Sequence, residues 1–214
     1  MLIKVYKNIF LSVFLFLITS VSYGQLLNIN SETASFIDAT TFNPKNNVLL
    51  LFSGSSLMLY DVNSDEMVKP KWFQLDGFKK IEAAFMWSDE QVLIFESNQY
   101  RIFNVSTAQF LSKKQEWLGL PEEWKGEFDA AVRWDEDNVM FCKDDKYLIY
   151  NFKESKYTIY DYLTSWEGWP EQWNKSIEAI FSFGDSIYFL NDGKAIEYSK
   201  SKGAFFSEIK ISSE

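Results

Sequence analysis

Residues 128–150, FDAAVRWDEDNVMFCKDDKYLIY, fall into three short apolar-rich runs. The runs FDAAVRW, NVMF and KYLIY are separated by Asp135-Glu136-Asp137-Asn138 and by Lys143-Asp144-Asp145. Such spacing, with polar clusters at the breaks, predicts antiparallel strands joined by tight turns. One meander of this kind has an apolar face that it cannot bury alone, so it needs neighbours.

The chain supplies them. The opening phrase recurs as Ile37-Asp38-Ala39, Ile81-Glu82-Ala83-Ala84, Phe128-Asp129-Ala130-Ala131 and Ile177-Glu178-Ala179-Ile180, with starts 44, 47 and 49 residues apart. Phe141 and Tyr150 of the third unit align with Phe189 and Tyr198 of the fourth, and Phe52 and Tyr60 of the first with Phe95 and Phe103 of the second. Counted this way, the second turn of the first two units is one residue shorter. The unit ends WLGLPEEW and WEGWPEQW share W-x-G-x-P-E-x-W, and each stops four residues before the next unit. Glu-Trp-Lys and Glu-Gln-Trp-Asn at these ends each predict a single helical turn. No long stretch has helical period. A multi-strand repeat of this length predicts an all-β propeller or array.

With these phrases the chain resembles the hemopexin-like repeat family, over roughly residues 36–210. The resemblance implies a four-bladed β-propeller of hemopexin-like repeats, with blades at about 36–78, 79–127, 128–176 and 177–211 of a domain spanning 36–214. It also implies a site on the axis. In the family, the backbone carbonyls of the repeat acid and of the residue two further on line the channel and hold cations. The corresponding residues here are Asp38 and Thr40, Glu82 and Ala84, Asp129 and Ala131, and Glu178 and Ile180. Ca²⁺ or Na⁺ is the expected occupant, since hard cations take several oxygen ligands, carbonyls included. Thr40 and Ile180 break the alanine pattern, and the Asp/Glu-Ala phrase is also a packing solution for a crowded axis. Family members attached to matrix metalloproteinases dock protein partners, and the plant seed albumins are single propellers.

The N-terminus reads as a targeting segment. Lys4 and Lys7 precede an apolar run from Ile9 to Ile18, and Ser22 and Gly24 suit signal-peptidase cleavage before Gln25. Residues 1–24 are therefore expected to be a signal peptide and residues 25–35 a polar lead-in. Export to the periplasm, cell surface or extracellular space is the expectation, with no transmembrane segment after cleavage.

Charge and composition narrow the partners. The formal net charge is −9, and loss of residues 1–24 would take it to about −11. Nucleic acid is not an expected partner, because its phosphates require clustered Lys and Arg. Cationic small ligands and divalent ions are favoured. Aromatic residues make up 18% of the chain, and they read first as filling between twisted sheets.

The single cysteine, Cys142, excludes an intrachain disulfide, so ring closure must rest on packing. The vertebrate members that the chain resembles tie the first blade to the last with one. Cys142 lies in the run VMFC and reads as a buried strand residue. The chain has no histidine. This excludes Ser-His-Asp and Cys-His nucleophile pairs, H-E-x-x-H metalloprotease chemistry and the histidine ligation of the family's haem carrier. Catalytic residues are therefore not expected, nor is haem. The sequence reads as an exported, non-enzymatic binding or interaction module with a protein partner and a structural axial cation. A small-ligand binder, for haem or a polyamine, is the second reading, and a carboxylate hydrolase the third.

Overall fold

The computed structural model describes residues 37–61, 64, 66–68, 73–173, 177–191, 194–206 and 209–210. The expected signal peptide and lead-in lie outside the described residues, as do positions 211–214. The described chain forms four antiparallel sheets, each a meander in sequence order. The innermost strands are Ala39–Asn43, Ala83–Met86, Ala130–Arg133 and Ala179–Phe183. Each packs against the inner strand of the blade before and after it, and the fourth returns to the first. The result is a closed four-bladed propeller.

The second strands explain the apolar runs. Val48–Ser53, Gln91–Glu96 and Asn138–Lys143 each bury four consecutive residues, because both of their faces are covered. Alternate residues of these strands take opposite neighbours. Leu49 and Leu51 face the fourth blade, whereas Leu50 and Phe52 face the second. Val139 and Phe141 face the second blade, whereas Met140 and Cys142 face the fourth. The hydrophobic core is thus four wedges, one in each gap between blades. In the gap between blades 2 and 3, Phe95 lies 5.4 Å from Phe128 and 5.8 Å from Phe141, both nearly edge-on, and Trp117 packs 5.6 Å from Phe141.

The second hairpin corrects the sequence alignment. Ser53 pairs with Ser56, Glu96 with Gln99, Lys143 with Lys146 and Asn191 with Lys194, so every second turn has two residues. The position of Phe52 and Phe95 is taken by Cys142 and Leu190, because these four accept the amide of the repeat acid. The length differences sit in the first hairpin. Blade 1 pairs Asn43 with Val48 there, whereas blade 4 pairs Phe183 with Ser186.

The outer strands differ among blades. Blade 3 has a continuous one, Lys156–Tyr162, which ends where Leu163 begins a short 3₁₀ turn. In the other blades two separate two-residue pieces occupy this place, Glu66–Met67 and Phe73–Gln74, Gln109–Phe110 and Gln115–Glu116, and Ala204–Phe205 and Ile209–Lys210. The expected single helical turns are the 3₁₀ turns Glu122–Trp124 and Glu171–Trp173, which bury Trp124 and Trp173. Among the described residues, no helix is long and apolar enough to cross a membrane.

Candidate functional site

The repeat acids have a structural task. Asp38 accepts the Gly54 amide at 2.6 Å, Glu82 the Ser97 amide at 2.7 Å and Asp129 the Asp144 amide at 2.6 Å. Gly54, Ser97 and Asp144 are the first residues of the second turns, and all three are left-handed, with φ of 56°, 55° and 53°. A charge-assisted bond to a carboxylate helps hold a conformation that non-glycine residues adopt reluctantly. In blade 4 the matching turn, residues 192–193, lies outside the described residues.

The backbone of the same residues is also regular. The amides of Asp38, Glu82, Asp129 and Glu178 donate to Phe52, Phe95, Cys142 and Leu190, and the alanine that follows each acid faces that same residue. Two inner-strand residues thus oppose one, the count of a β-bulge, which re-aims the strand at its start. An innermost strand has a ladder partner on one side only, so alternate N–H and C=O groups point towards the axis. Thr40, Ala84, Ala131 and Ile180 are all buried around it. The Thr40 hydroxyl turns away to donate to the Leu50 carbonyl at 3.0 Å.

These features suit a cation held by main-chain oxygens. The carboxylates are engaged by turn amides, and among the described residues no three Asp, Glu or Cys side chains gather to hold a metal. Burial pushes the Asp129 and Glu82 carboxyls above their ordinary values. Lys80 lies at the same end of the axis, with Nζ 3.8 Å from Asp38, and its charge also draws the Glu82 and Asp129 values down.

A second feature lies away from the axis, and sequence reading did not locate it. A cavity of about 460 Å³ opens on the side of blade 3 that faces blade 4. Trp134, Tyr147, Trp166 and Tyr198 line it, with Ile149, Thr158 and Ile159 from the outer half of blade 3. The rings form one folded wall. Trp166 meets Tyr147 at 82° with centroids 5.1 Å apart, Trp134 at 74° and 5.6 Å, and Tyr198 at 52° and 4.8 Å.

Among the described residues, two carboxylates border the cavity, Asp135 and Glu167. Asp135 caps the first turn of its blade. Its Oδ1 accepts the amides of Asp137 and Asn138 at 2.8 and 2.9 Å, and both its oxygens accept from the Asn138 side chain. Glu167 is exposed and makes no ion pair or hydrogen bond among the described residues. The four rings come from the residue that follows an inner strand, a third strand, an inter-blade segment and the next blade. Their shared tryptophan and tyrosine content was visible in the chain, but their meeting was not.

Cys142 is fully buried, and burial pushes its thiol well above the ordinary value, with the Asp129 charge adding to the shift.

By sequence, the chain matches no family model and no curated protein. Solved structures do match. A plant albumin from Cicer arietinum showing hemagglutination is 16% identical, with a TM-score of 0.67 over 82% of this chain and 93% of that one. A plant lectin with two metal-binding sites, also from Cicer arietinum, is 16% identical, with a TM-score of 0.66 over 77% of this chain and 86% of that one. The hemopexin-fold protein CP4 from cow pea is 11% identical, with a TM-score of 0.64 over 82% of this chain and 93% of that one. The likeness is one of fold, and the fold is the hemopexin-type four-bladed propeller.

Proposed function

We propose that this hemopexin-fold chain is a non-enzymatic binding module whose ligand seat is the aromatic cavity between blades 3 and 4. The observation that carries the reading is the cavity itself, about 460 Å³ and walled by four aromatic rings. Its volume lies within the range of small-molecule sites, which are concave, mostly apolar and furnished with few polar groups. The reading replaces a protein partner with a small ligand as the first expectation. Non-catalytic use is supported by the absence of histidine, by the buried, protonated Cys142 thiol and by the engagement of Asp135 in its turn. A carboxylate hydrolase needs two free carboxyl groups flanking the scissile bond, and at this cavity only Glu167 is free among the described residues.

A structural cation on the axis, Ca²⁺ or Na⁺, belongs to the same proposal. The one-sided ladder of each inner strand and the fourfold backbone pattern at Asp38, Glu82, Asp129 and Glu178 support it. So does the metal content of a lectin with this fold. Its ligands would be the main-chain carbonyls of those residues and of Thr40, Ala84, Ala131 and Ile180. Export is supported by the leader-like residues 1–24.

Thermal unfolding tests both parts. After EDTA treatment the protein is titrated in turn with Ca²⁺, haemin, spermine, choline and a set of saccharides. A native-state ligand at 100 times its Kd adds about 2.7 kcal/mol of stability, a shift of a few degrees for a chain of this size. Thr158→Trp, which places a ring in the cavity from the outer strand, should abolish the organic-ligand shift and leave a Ca²⁺ shift intact. An organic-ligand shift that survives this substitution places the seat elsewhere. Absence of any organic-ligand shift removes the small-ligand reading.

A further inference from the structure

The chemistry of the cavity specifies more than a small ligand. Ring faces carry partial negative charge and attract cations, most strongly where water is excluded. Here the three other rings that line the cavity lie 4.8 to 5.6 Å from Trp166, two of them nearly perpendicular to it, and Phe189 and Phe205 pack on Trp166 as well. The wall therefore presents ring surface from more than one direction. Among the described residues, neither lysine nor arginine lines the cavity. Its free carboxylate is Glu167, and the chain as a whole carries a formal charge of −9.

The hydrogen-bonding groups decide which cation. A primary ammonium brings three N–H donors, and burying them without acceptors is costly. Asp135 offers little, because its Oδ1 already accepts three hydrogen bonds and its Oδ2 one, so among the described residues Glu167 is the one open carboxylate for three N–H groups. A quaternary ammonium has no N–H to satisfy and spreads its charge over methyl groups. A stacked sugar would bring several hydroxyls to the same wall, where the Asp135 and Asn138 side chains are already bonded to each other and Thr158 to the Ile149 carbonyl. The geometry points to a trialkylated ammonium headgroup of the choline type, its methyl groups against Trp134, Trp166 and Tyr198 and its charge balanced by Glu167. The assignment rests on the binding-module reading above.

Tryptophan fluorescence and isothermal titration with choline provide the test, with dimethylbutanol, the neutral carbon isostere, as the charge control. Choline should change the fluorescence and bind at least tenfold more tightly than the isostere. Glu167→Gln, an exposed position that leaves the fold intact, should weaken choline about two- to fivefold and leave the isostere unchanged. Trp166→Phe should weaken choline further. Equal binding of choline and isostere overturns the ammonium assignment. So does failure of choline when spermine or a saccharide binds and Thr158→Trp blocks that binding, but the binding-module reading then stands. If neither choline nor any other organic probe binds, both fall.

Discussion

At the scale of single residues, the glycines of the W-x-G-x-P segments separate two causes of strain. Gly119 and Gly168 both have left-handed backbones, with φ of 84° and 81°. A Cβ on Gly119 would lie 2.6 Å from the Ser155 carbonyl oxygen, whereas one on Gly168 would meet nothing closer than 3.9 Å. Gly168→Ala should therefore cost about 1–2 kcal/mol, the left-handed penalty alone. Gly119→Ala should cost more, since backbone must move as well. Equal losses of Tm would show that Ser155 yields freely. The repeat acids give a second prediction. Burial raises the folded-state values of Asp129 and Glu82 above their ordinary 3.8 and 4.5. A raised carboxyl favours the folded state below its ordinary value, and that contribution is lost as pH rises through the raised one. The loss of Tm between acid and neutral pH should be smaller in Asp129→Asn than in the parent protein. Identical pH profiles would show that the turn amide of Asp144 already offsets the burial.

At the scale of elements, the second strands and the outer strands obey different constraints. The second strands are buried on both faces and tolerate little. Phe141 is fully buried, touches Phe95 and Trp117 across the gap to blade 2 and packs on Phe128 of its own blade. Phe141→Ala should cost about 3–5 kcal/mol by chemical denaturation. A loss under about 1 kcal/mol would mean that the wedge collapses around the cavity. The outer strand Lys156–Tyr162 exposes Tyr157, Ile159 and Tyr162 at 45%, 46% and 49%. Its register shifts opposite Ile149 and Tyr150, a bulge that twists an open edge away from further pairing.

At the scale of the molecule, closure of the ring without a disulfide falls on the gap between blades 4 and 1. Among the described residues its buried wedge consists of Phe42, Leu49, Leu51, Met58, Phe181, Tyr188 and Ala195, the smallest of the four. Phe42 and Phe183 meet there edge-on at 4.7 Å. Local opening follows low apolar contact. Amide exchange should accordingly be faster in Ala39–Asn43 and Ala179–Phe183 than in Ala130–Arg133. Uniform protection of all inner strands would place the closing strength elsewhere. The axis supplies a related prediction. Lys80 puts a positive charge at the end where a cation would enter. Lys80→Met should tighten Ca²⁺ binding about two- to fivefold at low salt, and no change would separate that mouth from the ion's path.

The repeat phrase at Asp38, Glu82, Asp129 and Glu178 was enough to count four units, and the resemblance to hemopexin-like repeats made them blades; the phrase recurs because each blade must solve the same turn and the same crowded axis with local residues. The strands in VLLLF and VMFC were legible as apolar runs, and Cys142 as a buried strand residue, but burial of both strand faces was not, because it depends on a neighbouring blade on each side. The candidate axial residues could be named from the family resemblance, but the carboxylate bonds to Gly54, Ser97 and Asp144 became visible only with the turns in place. The true register of Cys142 against Phe52 was hidden for the same reason, since a one-residue length change can sit in either hairpin. The cavity belongs to the tertiary structure alone. Trp134, Tyr147, Trp166 and Tyr198 are dispersed along the chain, and only the wedge angle between blades 3 and 4 folds them into one wall.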